Sequence, residues 1–121
     1  MSVHGHRLER LAERIHDEVA ELVAGELKDP RIGLATVTQV ELSADMRHAR
    51  VLVGVTGGEE AQAETLKGLA SAAGYVRREL GRRLRLRRAP EVVFSADPGW
   101  EGRERVEALL DKIKNPGESD L

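Results

Sequence analysis

Arginine side chains are concentrated in one short segment of this 121-residue chain. Residues 77–88 contain seven Arg and a single Glu, so the window carries a local charge of +6 although the whole chain carries −2. A guanidinium group can donate two parallel hydrogen bonds, which suits the oxygens of a phosphate group. The segment indicates binding of RNA or DNA by charge and shape, and a solvated helix surface is the alternative interpretation. Its basic residues are Arg77, Arg78, Arg82, Arg83, Arg85, Arg87 and Arg88.

Side chains that would form a catalytic or metal centre are absent or scattered in the sequence. The chain has no Cys, which excludes disulfides, thiol catalysis and Cys-based zinc sites. Ser43, Ser71 and Ser95 have no His nearby in sequence, and there is no P-loop or nucleophile elbow. His4 and His6 have a spacing that can chelate a metal ion, but we expect a surface feature there. The sequence therefore predicts no enzyme, no metal and no cofactor.

Composition excludes further classes of protein. The chain is 40% hydrophobic and 33% charged, and no apolar run approaches the ~18 residues that a membrane span needs. The first residues lack the basic and apolar regions of a signal peptide, so we expect a cytoplasmic protein without a membrane partner. The aromatic residues are Tyr75, Phe94 and Trp100, too few for a sheet that stacks RNA bases.

Hydrophobic periodicity predicts the elements that position the basic segment. Spacings of three and four predict helices, whereas alternation predicts strands. In chain order we expect a helix at 7–27, strands at 34–42 and 49–56, a helix from about 59 to 84, a strand at 91–96 and a helix at 101–114. This order predicts an α+β domain with helices on one face of a three-stranded sheet. We expect a single domain over 1–121, with an ordered core at about 7–113 and a short flexible tail at 115–121.

A glycine interrupts the longest predicted helix. Gly74 lies inside it, where Gly costs roughly 1 kcal/mol relative to Ala. The cost predicts a kink or a break between two helices near Ala72-Ala73-Gly74, with tolerance or close helix packing as alternatives. A helix beginning after Gly74 would offer unpaired backbone N–H groups beside Arg77 and Arg78, an arrangement that binds phosphate.

Several short motifs are spread along the chain, and their combination and order are more informative than any one of them. They are Leu27-Lys28-Asp29-Pro30-Arg31-Ile32-Gly33, residues 37–46 followed by Ala49-Arg50-Val51, Ala72-Ala73-Gly74-Tyr75-Val76-Arg77, Leu84-Arg85-Leu86-Arg87, and Pro90-Glu91-Val92-Val93-Phe94. Together they make the chain resemble the ribosome-binding factor A family, bacterial assembly factors of the small ribosomal subunit. The resemblance covers roughly residues 7–113.

The resemblance implies a type II KH-like fold, with an Ala-x-Gly kink at Ala72-Ala73-Gly74 where other KH domains have Gly-x-x-Gly. It also implies a non-enzymatic protein that binds the free small (30S) subunit and its rRNA. Binding is expected during late maturation of the 16S rRNA 5′ end and in cold adaptation. The loop containing Lys28 and Arg31 is typical of the family, and either RNA contact or a structural helix stop is consistent with it.

The sequence departs from the family pattern after the third predicted strand. Asp97 is followed by Gly99 where the family usually has Ser, and Arg103 occupies a usual Gly position, so no family role is carried over to this loop. We expect a monomer that acts by occupying its site, without a small-molecule substrate. The alternative is a small regulatory module that binds a protein through its acidic first helix and exposed sheet.

Overall fold

The computed structural model describes residues 3–114, with side chains described for 6–103 and 105–113. The described elements follow the expected order. They are α1 (Val3–Glu21), β1 (Ala35–Leu42), β2 (His48–Val55), α2 (Gly58–Arg83), β3 (Glu91–Ala96) and α3 (Trp100–Lys114). A π-helical turn, Leu22–Glu26, extends α1 to within one residue of its predicted end. The tail expected at 115–121 and the side chain of His4 lie outside the described residues.

The three strands form one mixed sheet in the order β1-β2-β3. β1 and β2 are an antiparallel hairpin, with Ala35 opposite Val55 and a bulge between Val37 and Gln39. β3 runs parallel to β2, and α2 makes the crossover that a parallel pair requires. The β1–β2 turn, the end of α2 and the start of β3 therefore meet at one end of the sheet, called here the hairpin end.

The core lies between one face of the sheet and the two helices α1 and α2. Alternation along β2 places Ala49, Val51, Val53 and Val55 on this face, and all four are buried. α1 and the π-helical turn after it contribute the fully buried Ile15, Val19 and Leu22, and α2 contributes Leu69, Val76 and Leu80, at spacings of three, four and seven. Burying one such side chain stabilises the fold by about 1.5–3 kcal/mol, and this core confirms the α+β expectation. Within residues 3–114, no helix combines the length and hydrophobicity that crossing a bilayer requires.

The third helix differs from the expectation that all helices lie on one face. Gly54 alternates with the core-facing Val53 and Val55, and the Trp100 ring covers it from the opposite face. A Cβ at Gly54 would lie 2.1 Å from Trp100 Cδ2, so only Gly permits this approach. The start of α3 is fixed further by Asp97, which accepts a hydrogen bond from the Gly99 N–H (2.9 Å) and pairs with Arg103. The loop that departs from the family pattern thus anchors α3.

Candidate nucleic-acid interface

The structure contains one helix where the sequence predicted two. α2 runs from Gly58 to Arg83 and continues through Ala72-Ala73-Gly74. Since the helix continues, the N–H groups after Gly74 lie within its hydrogen-bond ladder and do not form a free N-terminus. The phosphate site predicted there from a helix N-terminus is therefore wrong.

Packing does not explain Gly74 either. The residue is exposed, and a Cβ built on it would have Arg78 Nη1, at 3.7 Å, as its nearest neighbour outside the local backbone. The glycine leaves a strip of bare helix backbone on the surface, next to Tyr75, whose side chain is exposed. A bare strip of this kind lets another molecule's backbone approach closely.

Arg83 is an internal cross-link of the fold. Its guanidinium donates to Glu26 at 2.6 and 2.7 Å, to Glu18 at 3.3 Å and to Glu79 at 3.2 Å. Only 18% of its side chain is exposed. Hydrogen bonding to Glu26 first, and then to Glu18 and Glu79, raises the pKa of Arg83 above its ordinary value. Arg83 therefore ties the α1 region to α2, and its donors face inward.

Arg82 is also paired, although it is exposed. Its Nη2 donates to Glu79 Oε1 at 2.8 Å and its Nε to Glu79 Oε2 at 3.3 Å. These hydrogen bonds from Arg82 are the main cause of a lowered pKa at Glu79, and Arg83 adds to it. The only acidic residue of the basic segment therefore neutralises Arg82 and part of Arg83.

The loop between the π-helical turn and β1 shows the same internal pairing. Arg31 donates to Asp29 through Nε (3.0 Å) and Nη2 (2.6 Å), and Nη2 also reaches Ser71 Oγ on α2 at 2.9 Å. The Arg31 side chain, followed by its backbone N–H, lowers the pKa of Asp29 to about 2. Arg31 thus docks the loop on α2, whereas Lys28 is exposed and has no ion pair among the described residues.

The remaining arginines of the basic segment face solvent without an acidic partner in the described part of the chain. They lie on α2 and on the loop that leads to β3, and they are Arg78, Arg85, Arg87 and Arg88. Arg77 is exposed as well, and its Nε donates to the Ala89 carbonyl at 3.1 Å. That bond leaves the terminal nitrogens of Arg77 available. These five residues form the candidate interface, called here the unpaired arginine surface.

Arg85 has an unusual backbone for an arginine. Its φ is +53°, and the Leu86 N–H donates to the Gly81 carbonyl at 2.9 Å, which closes the end of α2 in a Schellman motif. Glycine is the usual residue at this left-handed position because other residues are strained there. A cation without a partner therefore occupies a position that folding alone would give to Gly.

Arg47 is a residue that sequence reasoning missed. It lies on the β1–β2 turn and lines one cleft with Arg77 and Arg88. It is 30 residues from the basic segment and is not part of an arginine-rich run, so no local pattern marks it. Among the described residues, no group of three His, Asp or Glu side chains is close enough to hold a metal ion.

A family model for ribosome-binding factor A matches residues 7–110 of the chain. Curated relatives of this description include one from Microcystis aeruginosa, 48% identical over 118 residues, which are 94% of this chain and 92% of the relative. Another, from Thioalkalivibrio sulfidiphilus, is 49% identical over 106 residues, covering 88% of this chain and 82% of the relative. The match extends over most of the sequence and is not confined to the basic segment.

Solved structures give the same result for the fold. The crystal structure of ribosome-binding factor A from Thermus thermophilus is 32% identical with a TM-score of 0.65, covering 74% of this chain and 93% of that one. A solution structure from Thermotoga maritima, described as a putative ribosome binding factor A, is 37% identical with a TM-score of 0.69, covering 77% and 89%. A Thermus thermophilus homology model fitted into a cryo-EM map of a 30S complex is 34% identical with a TM-score of 0.60, covering 71% and 90%. The fold is KH-like, as the resemblance implied, and the chain belongs to the ribosome-binding factor A family.

Proposed function

We propose that this protein is a non-enzymatic assembly factor that binds the small (30S) ribosomal subunit through its rRNA. Family membership supports the ribosome as the partner, and the related Thermus thermophilus protein has been fitted into a map of a 30S complex. The observation that carries the proposal here is the unpaired arginine surface. An otherwise acidic chain presents five exposed arginines without acidic partners in its described part, at one end of its fold.

The chemistry of this surface favours phosphate contacts over base readout. Guanidinium groups donate to phosphate oxygens without sequence discrimination, which fixes position on a folded RNA. The bare backbone at Gly74, beside Arg78, allows a sugar-phosphate chain to approach the helix. Arg82, Arg83 and Arg31 use their donors inside the fold and are not part of this surface. Lys28 is exposed and is kept as a peripheral contact.

The mechanism that follows is occupancy. The bound protein holds one conformation of the immature particle, and it leaves when the mature rRNA no longer offers that surface. We place this action in late maturation of the 16S rRNA 5′ end, in the cytoplasm, with a demand that rises in the cold. Because the proposed action needs only binding and release, it requires no nucleophile, metal or cofactor from this chain.

Sedimentation with purified ribosomal particles tests the proposal. The wild-type protein is expected to co-migrate with free 30S subunits and not with 50S subunits or 70S ribosomes. A variant with Arg78, Arg85, Arg87 and Arg88 changed to Ala is expected to lose this binding. The logarithm of the wild-type affinity should fall linearly with the logarithm of salt concentration, because each phosphate contact releases a condensed cation.

A matched control separates specific contacts from overall charge. Arg10, Arg14, Arg105 and Lys112 are exposed and have no ion pair in the described residues, so changing all four to Ala alters the net charge equally. The control variant should bind 30S subunits like the wild type. Equal weakening of both variants would reject the arginine surface, and salt-insensitive binding would favour the protein-module alternative. Absence of binding to any particle would reject the function.

The role at the 5′ end of 16S rRNA needs a test in cells. Depletion of the protein should cause 16S precursors with unprocessed 5′ ends to accumulate in free 30S particles, most strongly at low temperature. The control variant should restore processing, and the variant without the arginine surface should not. Normal 5′ ends in depleted cells would remove this step from the proposal while leaving 30S binding intact.

A further inference from the structure

A basic cleft lies at the hairpin end, between the β1–β2 turn and the loop that follows α2. Its volume is about 470 Å³, which falls in the usual range for small-ligand sites. Arg47 and His48 line it from the turn, and Arg77 and Arg88 line it from α2 and the following loop. The β1–β2 turn, α2 and the loop that follows α2 thus bring three guanidinium groups to one cavity.

The guanidinium groups of this cleft have no acidic partner in the described part of the chain. The side chains of Arg47 and Arg88 make no internal hydrogen bond or ion pair there, and Arg77 uses only its Nε, on the Ala89 carbonyl. Glu91 is the one carboxylate in the lining, and its Oε2 lies 3.6 Å from His48 Nδ1. With three guanidinium groups and one carboxylate in its lining, the cleft keeps an excess of positive charge.

The backbone holds Arg47 in place before any ligand arrives. Its N–H donates to Asp45 Oδ1 at 3.0 Å, and its carbonyl accepts from the Glu91 N–H at 2.8 Å. Met46, just before it, has a φ of +61°, a left-handed conformation that is strained for a residue other than Gly. The left-handed residue belongs to the hairpin turn, and the two hydrogen bonds fix the backbone from which the Arg47 side chain reaches the cleft.

We propose that this cleft binds one phosphate group of an RNA strand, with Arg47, Arg77 and Arg88 as its ligands. The RNA-binding surface then extends from the end of α2 onto the β1–β2 hairpin. This inference rests on the proposed function, because the rRNA of the small subunit supplies the phosphate. Glu91 limits the affinity of the cleft.

The test compares substitutions with opposite expected signs. Arg47→Ala should weaken binding of purified 30S subunits by about tenfold and lower the slope of log affinity against log salt by about 1. Glu91→Gln should strengthen binding, because it removes the negative charge of the cleft while keeping the side-chain shape. Arg105→Ala is the matched control on α3, which begins at the opposite end of the sheet, and it should change neither quantity.

A second probe separates failure of the cleft from failure of the proposed function. The same variants are titrated at low salt with a short RNA hairpin of arbitrary sequence. Binding is monitored through the backbone amide NMR signals of residues 47 and 88. If 30S subunits bind but Arg47→Ala and Glu91→Gln behave like Arg105→Ala, the cleft is rejected and the function stands. If the RNA hairpin shifts both signals in the wild type while 30S subunits do not bind, the cleft stands and the function is rejected.

Discussion

Two neighbouring groups of arginines in the basic segment differ in what their side chains contact. Arg82 and Arg83, at the end of α2, donate to Glu79, and Arg83 also reaches Glu18 and Glu26. Beyond the helix end, Arg85, Arg87 and Arg88 are exposed and have no acidic partner in the described residues. Both groups are rich in arginine, so a high local density of arginine does not by itself identify an interface.

Tertiary contacts create this difference. Glu18 and Glu26 are 65 and 57 residues away from Arg83, and only the packing of the α1 region against α2 brings them together. The loop after α2 approaches the β1–β2 turn instead, where Glu91 is already beside His48. Arg82 and Arg83 therefore contribute to the fold, and the arginines beyond the helix end remain available for a ligand.

The largest expected effect on stability in this segment is that of Arg83→Ala. Three carboxylates would lose their common cation, and a half-buried cluster of like charge would remain. The midpoint of urea unfolding should fall further than for Ala at any other arginine in 77–88, and Arg82→Ala is the exposed comparison. Binding of 30S subunits by the folded variant should stay near the wild-type value, and a selective loss of binding would contradict this role.

The double substitution Arg87→Ala with Arg88→Ala should weaken binding and leave stability nearly unchanged, which is the reverse of what we expect for Arg83→Ala. Neither side chain has an internal ion pair in the described residues, so the free energy of unfolding should change by less than about 0.5 kcal/mol. Affinity for 30S subunits should fall by about tenfold or more, and the salt slope should decrease by about 2 if both contact phosphate. A large drop in stability without loss of binding would mean that these residues stabilise the fold, as Arg83 does.

Arg85→Gly should separate stability from binding at a single residue. Removing the side chain relieves the left-handed backbone, and the gain is offset in part by the greater freedom of Gly in the unfolded chain. We expect a net stabilisation of up to about 1 kcal/mol by urea unfolding, together with a several-fold loss of affinity for 30S subunits. Arg85→Asn, which tolerates the same backbone, should also lose affinity; unchanged binding in both variants would remove Arg85 from the interface.

Much of the fold follows from periodicity, because burial is periodic in both kinds of element. The spacing of Ile15, Val19 and Leu22 predicts their shared buried face, and alternation predicts Val51 and Val53. The strands were predicted within one residue of their observed bounds. The side of the sheet that α3 reaches was predicted wrongly, because it depends on the gap above Gly54, which exists only in the folded sheet.

The site was less predictable than the fold because pairing is not encoded locally. The sequence indicates the basic segment, but it does not show that Arg83 meets Glu18 or that Arg47 joins Arg88 across the hairpin end. Gly74 was interpreted as a helix break, since an interior Gly costs stability, whereas α2 tolerates that cost and continues. These differences concern contacts between distant segments, which helical and strand periodicity do not describe.

The smallest expected effect concerns the paired Arg31 and tests whether its pairing is structural. The pKa of Asp29 is lowered from 3.8 to about 2, chiefly by the Arg31 side chain, so the ionised carboxylate favours the folded state. This contribution is fully present above about pH 4 and is lost as the pH falls toward about 2. Asp29→Asn should therefore lower the urea midpoint slightly at neutral pH, and the gap from the wild type should close across that window. A gap that does not vary with pH would mean that the charge of Asp29 contributes nothing. Arg31 would then be free to join the unpaired arginines in contacting RNA, and Arg31→Ala should weaken 30S binding. If the gap closes, Arg31 is held by Asp29, and Arg31→Ala should leave 30S binding unchanged.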